Sequence, residues 1–133
     1  MTDNGLTAIY RAYLACLNDR RWDDLGKYVS DDVVRNGERL GLSGYRAVLE
    51  ADTHATPDLH FDADIVIADG QTVGCRLMFT CTPQHTFLGL EPSGERITFA
   101  EHVFYRFENR RIAEVWSVID KEAIRAQFQE QGS

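Results

Sequence analysis

The chain has 133 residues, 44% of them hydrophobic and 26% charged, a size and balance that fit one folded domain and argue against a disordered or fibrous chain. Asp plus Glu number 21 against 14 Lys plus Arg, a net charge of −7. The arginines are scattered and a nucleic-acid backbone would be repelled, so no nucleic-acid partner is expected.

No apolar run approaches the roughly 18 residues of a membrane span, and residues 1–4 are polar where a signal segment would be basic and then apolar. A cytoplasmic protein with no membrane partner, one domain over residues 1–133, is the expectation. Cys16, Cys75 and Cys81 are odd in number and lack CxxC spacing, which favours free buried thiols over a disulfide frame or a zinc site.

Taken in chain order, Leu6, Ile9, Tyr10, Tyr13, Leu14 and Leu17 recur at three- and four-residue steps and predict an amphipathic helix, with Thr2 or Asp3 as its cap. A short helical turn follows over residues 22–28. Ser30-Asp31-Asp32 reads as a break and Val33-Val34 as the start of a short strand. After a loop over 37–44, Ser43 is placed as the cap of a helix carrying Tyr45, Val48 and Leu49, which the Thr56-Pro57 step must end because proline disfavours helix in the residue before it.

From Leu59 the period changes to two. Leu59, Phe61, Ala63, Ile65 and Ile67 share one face and Asp69-Gly70 reads as a hairpin turn. A long strand is expected over 72–88 with an irregularity at Pro83, then a turn over 89–94, strands over 97–107 and 112–119, and a closing helix capped by Asp120. Helices first and then a meander of strands is an α+β order, not the alternation of a parallel-sheet protein. Such helices folded on a curved sheet leave an interior where a small apolar ligand sits.

Phe87-Leu88-Gly89-Leu90-Glu91-Pro92-Ser93-Gly94, with Ile97-Thr98-Phe99 after it, resembles the FLG-x-x-P-[TS]-G turn and following strand of the SnoaL-like polyketide cyclases. Phe104-Tyr105-Arg106-Phe107 and then Arg111-Ile112-Ala113-Glu114-Val115-Trp116 resemble the family's last hairpin, FR-x-x-DG-[KR]-I-x-EHWD. The resemblance implies a cone-shaped α+β barrel of the nuclear-transport-factor-2-like kind, with N-terminal helices packed on a strongly curved mixed or antiparallel sheet enclosing one pocket. It also implies a homodimer formed through sheet faces. The activity it implies is that of a polyketide or ester cyclase, or a related isomerase, acting on a small apolar or polyketide-like carbonyl compound without metal or organic cofactor. The alternative is a binding protein of the same fold that has lost the chemistry.

Aligned on Arg111-Ile112, the Asp and His of the family's HWD motif fall on Ser117 and Val115, and the His that precedes the FLG turn falls on Pro83, with His85 two residues on as a partial replacement. The inward position on the adjacent strand falls on Val103. Glu101 is the remaining ionisable carboxyl in the row Phe99, Glu101, Val103, Tyr105, Phe107, where burial would raise its pKa and make it a base. The other reading pairs it with an arginine such as Arg76 or turns this face outward.

Glu101 and Ser117 are therefore the catalytic candidates, and Asn36, Tyr13, His85, Val103, Tyr105 and Val115 the substrate-binding ones. His60, Asp62 and Asp64 share a strand face in a pattern that a metal cluster and a solvated face both produce, and the solvated face is preferred. His102 and Trp116 are expected to face away from the pocket. Asn109-Arg110 stands where the family has Asp-Gly, and because positive φ strains an Arg, a different turn or a bulge is expected there.

Overall fold

The computed structural model describes residues 5–92 and 94–131. Its elements run α1 (Leu6–Asn18), a 3₁₀ turn (Trp22–Lys27), β1 (Val29–Arg35), β2 (Glu38–Arg39), α2 (Gly41–Ala55), β3 (Asp62–Asp69), β4 (Thr72–Cys81), β5 (Ile97–Glu108), β6 (Arg111–Ile119) and α3 (Lys121–Gln131). The strands form one sheet in the order β2-β1-β6-β5-β4-β3. β1 runs parallel to β6 and the other pairs are antiparallel, so the sheet is mixed. The expected α+β cone fold holds, with helices packed on a six-stranded mixed sheet that is not closed and ends on β2 at one side and β3 at the other. α1 lies against β3 and β4, α2 against β1, and α3 against β5. Among the described residues no helix is long and apolar enough to cross a membrane.

The apolar stripe of α1 does what its spacing predicts: Leu6, Tyr10, Tyr13, Leu14 and Leu17 are all buried. The caps proposed at Thr2 and Asp3 lie outside the described residues, and the helix opens on Gly5 with no side-chain cap. α2 begins before Ser43, which is exposed within it. Its first residue, Gly41, has φ +69°, and a Cβ there would stand 3.3 Å from the Asp31 carbonyl oxygen, so glycine fixes that corner. The helix ends at Ala55, ahead of Pro57. α3 has the cap read from the sequence: the Ala123 amide donates to Asp120 Oδ1 at 3.1 Å.

Three strands differ from their sequence reading. β1 starts at Val29, and Ser30-Asp31-Asp32 lie inside it as an irregularity: Val29 pairs with Ile112 and Val34 with Glu114, so the polar run bulges out while Val29 and Val33 stay buried. In β3, Ala63 pairs with Leu77 and Ile65 with Arg76, leaving Asp64 as an extra residue. One extra residue reverses the parity, so Val66 and Ala68 turn inward while Ile65 and Ile67 stand 53% and 63% exposed on the outer face.

β4 stops at Cys81 instead of continuing to Leu88. The next residues dock on the end of α2, the Gln84 amide donating to the Ala55 carbonyl at 2.8 Å and the Thr82 amide to Asp58 Oδ1 at 2.9 Å. In the β5–β6 hairpin Asn109 and Arg110 both take positive φ, +50° and +65°, so the two-residue turn is kept despite the arginine. The bulge expected at this hairpin falls in β6, where Phe107 pairs with Ile112 and Arg106 with Glu114.

A side-chain amide joins α1 to the start of β3. The Asn18 Nδ2 donates to the Phe61 carbonyl at 3.1 Å, and the Phe61 amide donates to Asn18 Oδ1 at 2.7 Å, a two-point contact like one rung of a ladder. Asn18→Ala leaves both Phe61 groups short of a partner, and we expect a loss of about 2 kcal/mol in urea unfolding. A loss under about 0.5 kcal/mol would show that the rung contributes little.

Candidate functional site

Along β5 the alternation places Glu101, Val103 and Tyr105 on the inner face. Leu77 of β4 is paired with Glu101, and Ser117 and Val115 of β6 with Val103 and Tyr105. This face, with α1 and α2 over it, borders a cavity of about 50 Å³. Buried side chains make its floor: Tyr13 and Leu17 from α1, Tyr45 from α2, and Leu77, Tyr105 and Val115 from the sheet. Its half-buried edge carries three charged groups from three elements, Arg35 of β1, Asp52 of α2 and Glu101 of β5. Charges thus gather where water still reaches and neutral hydroxyls where it does not, which is the distribution desolvation favours.

Glu101 is held from the neighbouring strand. Ser117 Oγ donates a hydrogen bond to its Oε2. Burial pushes the Glu101 carboxyl above its usual range, against the pull of the Ser117 hydroxyl and of the Arg35 charge. Asp52 is raised to about 6, again chiefly by burial, with Glu101 adding to the rise and Arg35 opposing it. On the floor, the Tyr13 and Tyr45 hydroxyls lie 2.7 Å apart. One must donate to the other, so the acceptor keeps its own proton for a guest. Burial lifts Tyr45 to about 12 and Tyr13 and Tyr105 well above the usual phenol range, so all three remain neutral donors at ordinary pH.

The sequence candidates divide accordingly. Glu101, Tyr13, Tyr105 and Val115 line the cavity, and Ser117 reaches it through Glu101. Val103 is buried in the core beside it without lining it. His85 is exposed and stacks on His54, ring centroids 5.2 Å apart, away from the cavity, so it replaces no site histidine.

Asn36 is exposed and turned to another use. Its Nδ2 donates to the Ser117 carbonyl at 3.2 Å and its Oδ1 accepts the Ser117 amide at 2.8 Å. It fixes the residue that fixes Glu101. Arg76 pairs with Asp64 at 2.7 Å, not with Glu101. His60, Asp62 and Asp64 are exposed, and no group of three or more His, Cys, Asp or Glu side chains placed to hold a metal occurs among the described residues. Cys16, Cys75 and Cys81 are free and buried, and His102 and Trp116 face outward.

Arg35, Tyr45 and Asp52 were not foreseen as site residues. Tyr45, Leu49 and Asp52 stand at i, i+4 and i+7 of one helix, a signal that was available in the sequence. Arg35 follows Val33 by two residues on one strand face, a spacing that was available once Val33-Val34 was read as strand.

Helices on a mixed sheet, with a carboxyl-edged hollow between them, define a small α+β protein of the nuclear-transport-factor-2-like class. The chain belongs to the SnoaL-like polyketide cyclase family, whose model matches residues 7–128. A SnoaL-like polyketide cyclase of Agrobacterium tumefaciens strain C58 is 47% identical, covers 96% of this chain with 98% of its own, and superimposes with a TM-score of 0.89. TsrD of Streptomyces laurentii, at 20% identity and TM-score 0.84, covers 96% of this chain with 97% of its own. IdmH of Streptomyces antibioticus, at 19% and 0.80, covers 93% with 98% of its own; these two share the fold. No curated protein gives a significant match.

The raised carboxyl of Asp52 has a measurable consequence. Its folded value lies above the 3.8 of an ordinary Asp, so folding favours the protonated form; the cost of ionising it is absent below about 3.8, grows toward 6 and is constant above. Asp52→Asn should therefore stabilise the fold at neutral pH by about 1 kcal/mol, allowing for its partial exposure, and by nothing near pH 4. Thermal unfolding at the two pH values checks this, and a lower Tm for the variant at neutral pH contradicts it.

Proposed function

We propose that the protein is a cofactor-independent catalyst of enolisable carbonyl compounds, a polyketide or ester cyclase or a related isomerase, with Glu101 as the base that takes the proton from carbon. The observation that carries this reading is the Ser117–Glu101 hydrogen bond. In the resemblance, position 117 is where relatives carry their acid/base Asp. Here a serine stands there, and a carboxyl from the adjacent strand is drawn within one hydrogen bond of it, so the carboxylate function is supplied from β5 in place of β6.

The chemistry follows from the neighbours. A carboxylate whose pKa is raised by burial is a stronger base once ionised, and removal of a proton beside a carbonyl moves negative charge onto the carbonyl oxygen. The Tyr13–Tyr45 pair offers the hydroxyl proton to meet that charge, in a site with little water to compete. Asn36 and Ser117 act by position: the first holds the Ser117 backbone, the second the carboxyl.

A second reading, a binding protein without chemistry, is favoured by one observation: Val115 and Ser117 stand where relatives carry the His and Asp of the HWD motif. The two readings separate by proton exchange. With small ketones and keto esters in D₂O, the protein should speed exchange of the hydrogens next to the carbonyl, and Glu101→Gln should cut that rate by about 10²- to 10⁴-fold. The rate should rise with pH as Glu101 ionises. Exchange no faster than buffer, or unchanged in the variant, would leave binding as the function.

The outer sheet face supports a homodimer. Ile65, Ile67, Phe104, Trp116 and Val118 are all large, apolar and between 42% and 70% exposed, and all lie on the side of the sheet opposite the cavity. Sedimentation should give a dimer, and Phe104→Glu combined with Val118→Glu a folded monomer; a wild-type monomer at high concentration would rule this out. A cytoplasmic location fits three buried unpaired thiols.

A further inference from the structure

Arg35 lines the cavity from the end of β1, half-buried, yet its guanidinium makes neither a hydrogen bond nor an ion pair with any described residue. Its charge acts on Asp52, Glu101 and Tyr45 without contacting them. Other arginines of this chain are spent differently: Arg21, Arg46, Arg76, Arg106 and Arg125 each pair with a carboxylate. Arg35 therefore presents its planar fork of five donors at the open edge of a hollow whose floor is apolar rings and hydroxyls.

We propose that Arg35 anchors a carboxylate of the substrate, so that the site prefers small oxo acids to their neutral esters. The proposal rests on the enolisation reading above and specifies its substrate class. Three features point to a single carboxylate. The enclosed space is too small for a whole polycyclic compound, so only the reacting end of a substrate enters and the remainder stays at the edge, where Arg35 is. The site offers one guanidinium beside two acidic side chains, so a guest with two negative charges, such as a phosphate, would meet one cation and two repelling groups, which disfavours it against a singly charged carboxylate. The fork matches a carboxylate through two parallel hydrogen bonds. With its carboxylate on Arg35, an oxo acid extends its carbonyl toward the hydroxyls of Tyr13 and Tyr45 and the carbon beside it toward Glu101. Asp52, sharing the edge, repels a second anionic group and limits the guest to one.

Levulinate and methyl levulinate differ by the one charge at issue, and neither needs to be the natural substrate. Protein-observed NMR titration of the whole chain at neutral pH should show levulinate binding about tenfold more tightly than the ester. Arg35→Gln should abolish that gap by weakening levulinate and leaving the ester unchanged, which also shows the variant to be folded; Arg35→Lys should restore part of it.

Equal affinity for acid and ester, no binding of levulinate, or an equal loss of both in Arg35→Gln overturns the proposal. Proton exchange measured on the same samples separates it from the reading beneath it. Exchange that depends on Glu101 but is indifferent to the ester and to Arg35 removes the anchor and keeps the base, whereas charge-selective binding through Arg35 without exchange keeps the anchor and removes the base.

Discussion

β5 is hydrogen-bonded along both edges, to β4 over its first ten residues and to β6 over its last eight. A strand held on both sides cannot rotate or slip by one residue without exchanging its faces, so its parity is fixed more firmly than that of any edge strand. That parity puts Glu101 on the same side as Phe99, Val103, Tyr105 and Phe107, all buried. A carboxyl committed to that row has to be accommodated by everything packed over it. Ser117 supplies a donor, Arg35 a compensating charge, and the tyrosines of α1 and α2 a neutral polar floor. The site is in this sense a consequence of sheet pairing.

Two asparagines carry out the same task at opposite sides of that arrangement. Asn18 pairs with both backbone groups of Phe61, and Asn36 with both backbone groups of Ser117. Each amide offers a donor and an acceptor at about the spacing of a peptide, which lets it stand in for a ladder rung where the chain has no further strand to offer. The first seats α1, and with it Tyr13, over the sheet. The second fixes the end of β6, and with it the Ser117 hydroxyl. Asn36 takes φ +48°, a conformation Asn tolerates better than most residues, so the amide is also the residue able to hold this corner.

Much of this was legible in the residues. Period two in β5 placed Glu101 and Tyr105, helical spacing placed Tyr13, and the family's last hairpin drew attention to Ser117 and Val115. Asn36 was named for a polar role and has one, but toward the backbone and not toward a ligand. What sequence could not supply were departures from regular period. The bulge at Asp64 exchanges the faces of β3, so Ile65 and Ile67, read as sharing the apolar face, are outside. The polar bulge within β1 hid the start of the strand that delivers Arg35. Asp52 was invisible for another reason: a charged residue on an amphipathic helix is normally solvated, and only the packing of α2 over the sheet turns Tyr45, Leu49 and Asp52 toward one hollow. Bulges and helix placement are tertiary facts, set by which strand ends up beside which.

The substitutions at Val115 and Ser117 need not mean that the chemistry is lost, because a catalytic group is defined by where its atoms lie and not by which strand bears them. An Asp at 117 would reach into the cavity from β6. Glu101 sits diagonally across the β5–β6 ladder, with one more methylene, and meets the 117 side chain directly. On β5 the carboxyl has Leu77 as its paired residue and the Arg35 charge near it. Burial raises the Glu101 carboxyl's pKa, and the Ser117 hydroxyl and the Arg35 charge limit the rise.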